Sequence, residues 1–139
     1  MQSADSFVFD SYALIGYLEN EPFSNQIEEV LNKASSGDIR LYLHAIHLGE
    51  VYYITYREQG QDIADLVYSK IKAFPVHTIE YIGDKLLLTA ATLKANYPIS
   101  YADSFAAALA EIHECYLLSG DFEFKVLEKE EIIRVEWLS

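Results

Sequence analysis

The chain has 139 residues, 51% of them apolar and 23% charged, with a formal net charge of −12 at pH 7. That length fits one domain with a single core over residues 1–139, and an apolar half with no low-complexity tract excludes a disordered chain. The ten Lys and Arg residues are scattered, which argues against a broad basic surface for nucleic acid.

In chain order, Phe7 to Phe9 reads as a short buried strand. Helical spacing follows at Ala13, Leu14, Tyr17 and Leu18 and ends near Glu21-Pro22. A second helix spans Phe23 to Ala34, with Ile27, Val30 and Leu31 on one face and Gly37 as its stop. Ile39 to Leu43 is a strand, Ile46 to Gln59 a helix broken by Gly60, and Asp62 to Phe74 a helix closed by Pro75. Val76 to Ile79 is a strand and Ile82 to Ala95 a helix, followed by the loop Asn96-Tyr97-Pro98. Ala102 to His113 is a helix of small residues that must pack closely. Tyr116 to Leu118 is a strand, Glu123 to Leu127 a helical turn and Ile132 to Trp137 a last strand. Strands alternate with helices throughout, which predicts an α/β fold: a parallel β-sheet sandwiched between α-helices.

Four acids sit where this chain switches between strand and helix: Asp10, Glu50, Asp103 and Asp121. Each has apolar or small neighbours that do not call for a carboxylate. In a parallel sheet, functional groups gather at the carboxyl ends of the strands, so the connectivity allows all four to meet at one edge. Four converging carboxylates repel one another and must hold metal or carry shifted pKa values. Oxygen ligands without a cysteine partner favour Mg²⁺ or Mn²⁺. Such an ion activates water and neutralises phosphate, the two needs of phosphodiester hydrolysis. Asp10, Asp103 and Asp121 are expected as main metal ligands, with Glu50 as a further ligand or a water-orienting group. Ser11, Ser104 and Ser119 flank three of these acids and are candidates to hydrogen-bond them. Against this stands the plainer reading of each acid as a helix cap or a solvated side chain.

Other residues carry weaker signals. Cys115 is the single cysteine, so no intramolecular disulfide or cysteine zinc site forms, and it reads as a buried apolar residue. His44 and His47 lie three apart and read as structural, as no metal-binding cluster accompanies them. The tyrosines Tyr52, Tyr53 and Tyr56 read as core or dimer interface, with base stacking as the alternative. There is no P-loop or dinucleotide fingerprint. Met1 to Asp10 lacks a secretory n-region, and no apolar run approaches the roughly 20 residues of a membrane span. The expectation is a cytoplasmic protein with no membrane association.

The acids also have motif context. Asp10-Ser11-Tyr12-Ala13-Leu14 with Tyr17-Leu18-Glu19 and Glu21-Pro22 following, Leu48-Gly49-Glu50-Val51-Tyr52-Tyr53, Ile99 to Ala110 around Asp103, and Leu117-Leu118-Ser119-Gly120-Asp121-Phe122-Glu123-Phe124 resemble, in order and spacing, the motifs of PIN-domain proteins. The likeness covers nearly the whole chain and is greatest to the VapC-type toxins of prokaryotic toxin–antitoxin pairs. It implies a PIN fold and Mg²⁺- or Mn²⁺-dependent cleavage of RNA, with Asp10, Glu50, Asp103 and Asp121 in the catalytic positions. It also implies a homodimer and a cognate antitoxin. Tyr12 stands where such proteins often carry Ser or Asn. His44 stands where Ser or Thr is usual, and Ser119 where Thr is commoner.

Two function classes follow. One is a metal-dependent endoribonuclease, the toxin of a VapBC-like pair. The other, motivated by the missing basic surface, is a catalytically silent PIN-like module that binds a protein partner. A phosphoacceptor domain is more distant, because Asp10 has no acidic neighbour and no suitable Lys follows a strand end.

Overall fold

The computed structural model describes residues 5–139. Residues 1–4, the head of the segment read as lacking a secretory signal, lie outside the described residues. The elements run β1 (Ser6–Phe9), α1 (Ser11–Leu18), α2 (Ser24–Ser35), β2 (Arg40–His44), α3 (Ala45–Gln59) and α4 (Gln61–Lys72). They continue β3 (His77–Ile79), α5 (Asp84–Asn96), α6 (Tyr101–Ile112), β4 (Tyr116–Ser119), a 3-10 turn over Phe122–Phe124, α7 (Lys125–Lys129) and β5 (Arg134–Trp137).

The five strands form one sheet in the order β3-β2-β1-β4-β5, and every pairing is parallel. A parallel sheet needs crossover helices on its faces, and two apolar layers supply them. Strand residues alternate between the layers as the pleat requires. Val8, Leu117 and Val135 join Ala90 of α5, Ala106 to Ala110 of α6 and Leu127 of α7. Phe9, Leu41, Leu43 and Leu118 join Leu14 of α1, Ile27 and Leu31 of α2, Val51 of α3 and Ile71 of α4. The expected sheet sandwiched between helices is therefore present.

Local boundaries differ where backbone chemistry decides them. Helix α5 begins at Asp84, two residues after the expected Ile82, because Gly83 holds an extended backbone (φ −82°, ψ 172°) and Asp84 supplies an acid to the first turn. Strand β5 begins at Arg134 because Glu131 turns the chain through a left-handed conformation (φ 61°) just before it. Tyr52 is not a core residue: its hydroxyl donates to Asp65 Oδ1 over 2.6 Å and joins α3 to α4. Tyr53 and Tyr56 are exposed.

The strand order puts a topological switch between β1 and β4. From β1 the chain crosses towards β2 and β3, and from β4 it crosses the other way, towards β5. The crevice at the carboxyl ends of such a strand pair is where ligands bind in open α/β sheets.

Candidate active site

Phe9 pairs with Leu118, so Asp10, the first residue past β1, comes beside Ser119, the last residue of β4, over the crevice. Asp10 is 1% exposed and caps α1: its Oδ1 accepts the Ala13 N–H over 2.8 Å. Its Oδ2 is buried and has no hydrogen-bond partner. The same holds for Glu50 Oε1, on the second turn of α3. Asp121 follows β4 by way of Gly120. Its N–H donates to Ser119 Oγ over 3.0 Å, and its own Oδ1 accepts the Glu123 N–H over 2.9 Å, capping the 3-10 turn.

Asp103 enters from the first turn of α6. Ser100 caps that helix by accepting the Asp103 N–H over 3.1 Å. The Ser100 N–H in turn donates to Glu123 Oε1 over 2.9 Å. One carboxylate oxygen from each of Asp103, Asp121 and Glu123 lies within 4.8 Å of the others. Two of the expected acids, Asp103 and Asp121, thus lie with Glu123, and the charges of Asp121 and Glu50 reach Asp10.

The electrostatics follow from that crowding. Burial drives the Asp10 carboxyl up to about 7; the Ser119 hydroxyl and the Ala13 N–H oppose this, and the charges of Asp121 and Glu50 add to it. Burial also raises Asp103, helped by a hydrogen bond with Glu123 and by the charges of Asp121, Asp10 and Glu123. In the metal-free site Asp103 thus keeps its proton, directed at Glu123. Glu50 is raised by burial, with the Ser11 hydroxyl pulling the other way.

Of the three flanking serines, Ser11 and Ser119 lie against Glu50 and Asp10 respectively. Ser104 does not reach a carboxylate in this way. It is fully buried, and its hydroxyl donates to the Tyr101 carbonyl within α6. The hydroxyl that Asp103 meets is that of Ser100, which accepts its backbone N–H rather than bonding its carboxylate.

His44 and His47 brace the site from below. His44 Nδ1 accepts the Ile46 N–H and its Nε2–H donates to the Tyr81 carbonyl, each over 3.0 Å. His47 Nε2–H donates to the Ala102 carbonyl over 2.8 Å. Carbonyls only accept, so both rings carry their proton on Nε2. Burial holds His47 down to about 4, so it is neutral.

The donor set suits a divalent cation. It is all oxygen, and two of its buried oxygens, Asp10 Oδ2 and Glu50 Oε1, have no partner. Buried polar atoms are seldom left unpaired, and a hard cation held by these carboxylates would offset their mutual repulsion.

A family model described as "PIN domain" matches residues 7–130. The chain belongs to the PIN-domain family. No curated protein matches the sequence significantly.

Solved structures share the PIN fold at low identity. One is VapBC2 from Rickettsia felis, bound to a promoter DNA fragment, at 12% identity and a TM-score of 0.74, covering 96% of this chain and 99% of that one. Another is DNA-bound VapBC from Salmonella typhimurium, at 16% identity and a TM-score of 0.72, covering 95% and 97%. A third is VapC20 of Mycobacterium tuberculosis, described as a sarcin-ricin loop cleaving toxin, at 14% identity and a TM-score of 0.65, covering 88% and 95%.

Proposed function

We propose that this chain is a metal-dependent endoribonuclease of the VapC type, a toxin held in check by a cognate antitoxin. The observation that carries this reading is the group of Asp103, Asp121 and Glu123 at the switch point of a PIN fold, beside Asp10 and Glu50, each of which buries a carboxylate oxygen without a partner. Residues 1–139 are read as one such domain.

Asp10, Asp103 and Asp121 would hold Mg²⁺ or Mn²⁺, with Glu50 and Glu123 completing or orienting the set. The cation would lower the pKa of a bound water and neutralise phosphate charge. The chain's own residues do the rest. The Asp10 and Asp121 caps fix two carboxylates on rigid element ends. Ser100 fixes the start of α6 and, through its N–H, the Glu123 carboxylate.

The partners belong to the same proposal: an RNA substrate, a second copy of the chain and an antitoxin, in the cytoplasm. Exposed apolar side chains support protein partners, among them Leu66 on α4, Leu88 on α5 and Tyr81 before α5. Among the described residues no helix is long and apolar enough to cross a membrane.

The net charge of −12 favours a second reading, a silent module that binds a protein and cuts nothing. Incubating single-stranded RNA with the protein and Mn²⁺ separates the two. Cleavage that vanishes in Asp103→Asn and in Asp10→Asn supports the nuclease. Full activity in both variants sinks it, and no cleavage by the wild type shifts the reading to the silent module.

A further inference from the structure

A cleft of about 420 Å³ opens beside the carboxylates, between α1 and the start of α2. Ser11 and Asp121 lie at its junction with the acidic site, and Tyr12, Phe23, Glu19 and Glu21 line the remainder. Its volume falls within the roughly 300–1,000 Å³ of small-ligand clefts.

Two glycines set its shape. A Cβ on Gly120, the residue before Asp121, would come within 2.7 Å of the Tyr12 ring, so the ring lies directly on that turn. A Cβ on Gly16 would come within 2.0 Å of the Phe23 ring, so Phe23 sinks onto α1. Phe23 is buried and stacks with Tyr12, with centroids 5.7 Å apart and planes 20° apart. Tyr12 is thus held in place from two sides while 43% of it stays exposed. The outcome is a preset aromatic surface next to the carboxylates.

A flat ring held beside a phosphodiester site matches the π-face of an unpaired base. Glu19 and Glu21 are exposed in the same cleft. Carboxylates only accept hydrogen bonds and repel phosphate, so the occupant must present donors. Guanine offers N1–H and N2–H side by side, which match the two oxygens of one carboxylate. Cytosine and adenine offer a single amino group, and uracil one imino group between two carbonyls.

We propose that this cleft is a guanine subsite, in which the base next to the scissile phosphate stacks on Tyr12 and donates to Glu19 or Glu21. The proposal rests on the ribonuclease reading and names the substrate feature that this chain selects.

The test titrates the four nucleoside 5′-monophosphates into the full chain without added metal and follows the Tyr12 ring signals by NMR. Guanosine monophosphate is expected to move those signals upfield and to bind about tenfold tighter than uridine monophosphate. Tyr12→Phe should keep that affinity and Tyr12→Leu should lose about tenfold. Glu19→Gln or Glu21→Gln should remove the preference for guanine and leave the stacking shift. Tyr12 signals that no nucleotide moves, or that all four move equally, overturn the proposal. So does movement by arginine amide alone, which would give the cleft to a cationic protein segment. These titrations need no cleavage. Guanine binding without metal-dependent cleavage would therefore remove the ribonuclease reading and leave the subsite standing.

Discussion

His47 on α3 donates its Nε2–H to the carbonyl of Ala102 on α6 over 2.8 Å, one helical turn before Glu50 and one residue before Asp103. That bond ties the helix carrying one acid to the helix carrying another. His47→Leu fills the space but leaves the Ala102 carbonyl without its donor, at a cost of about 1–3 kcal/mol. His47→Gln places an amide N–H at a similar reach and should recover most of the loss. Urea denaturation gives the stability, and Mn²⁺ titration gives the coupling to the site. Equal behaviour of the two variants would show that the bond does not set the spacing of the acids.

The buried carboxylates make the metal-free protein sensitive to pH in a stated direction. Asp10 has its folded pKa raised from 3.8 to about 7. Its stabilising contribution is fully present below pH 3.8 and is lost as pH rises through 7, on the order of 4 kcal/mol at most. Glu50 and Asp103 are raised too and push the same way. His47 opposes them: with its pKa lowered from 6.5 to about 4, its contribution is complete above 6.5 and fades as pH falls towards 4. In the absence of metal, Asp10→Asn should therefore flatten the fall in stability between pH 5 and pH 8, since Asn caps a helix as well as Asp. His47→Gln should steepen the fall. Melting temperatures across that range check both signs, and a steeper fall in Asp10→Asn would contradict the assignment of Asp10 as a buried, raised acid.

Gly16 sets two effects against each other. In a helix interior, Gly→Ala alone stabilises by about 1 kcal/mol. At this position the new methyl would meet the Phe23 ring at 2.0 Å, and Phe23 is buried beneath Tyr12. Overpacking costs about 1–3 kcal/mol, so the clash should win, leaving Gly16→Ala up to about 2 kcal/mol less stable. In a Phe23→Leu background the sign should reverse, because the ring is gone. A double-mutant cycle measured by denaturation decides this.

These residues also mark how far the sequence could be read. Asp10, Asp103 and Asp121 were legible because each punctuates a boundary: a strand ends, a helix begins, and the residue type at the junction is odd for its neighbours. The sandwich was legible because strand and helix periods alternate. The strand order was not, since pairing β1 with β4 joins segments about a hundred residues apart and leaves no local trace. Glu123 was read as part of a helical turn and of the last motif, with no role in the site. Its place in the site depends on a 3-10 turn that folds it back onto the Ser100 N–H, 23 residues away in sequence. Ser104 misled for the opposite reason. It neighbours Asp103 in sequence, yet adjacent helix positions point about 100° apart, and its hydroxyl turns to the Tyr101 carbonyl. Tyr53 and Tyr56 read as core or dimer interface; they are exposed on α3, which removes the core reading.

Metal should reverse the pH trend. Above pH 7 the Asp10 carboxylate of the free protein stands ionised among other acids, and Asp10 Oδ2 and Glu50 Oε1 lack any hydrogen-bond partner. A divalent cation competes with protons for the same oxygens, so its affinity rises as the site deprotonates. At about one hundred times its dissociation constant, a ligand of the folded state alone adds about 2.7 kcal/mol. Mn²⁺ should thus raise the melting temperature strongly at pH 8 and little at pH 5. The Asp10→Asn/Asp103→Asn double variant should show almost no response at either pH. Calorimetric titration of Mn²⁺ at both pH values gives the affinities directly. A melting shift that persists in the double variant would place the bound metal elsewhere on this acidic surface and detach the carboxylate cluster from catalysis.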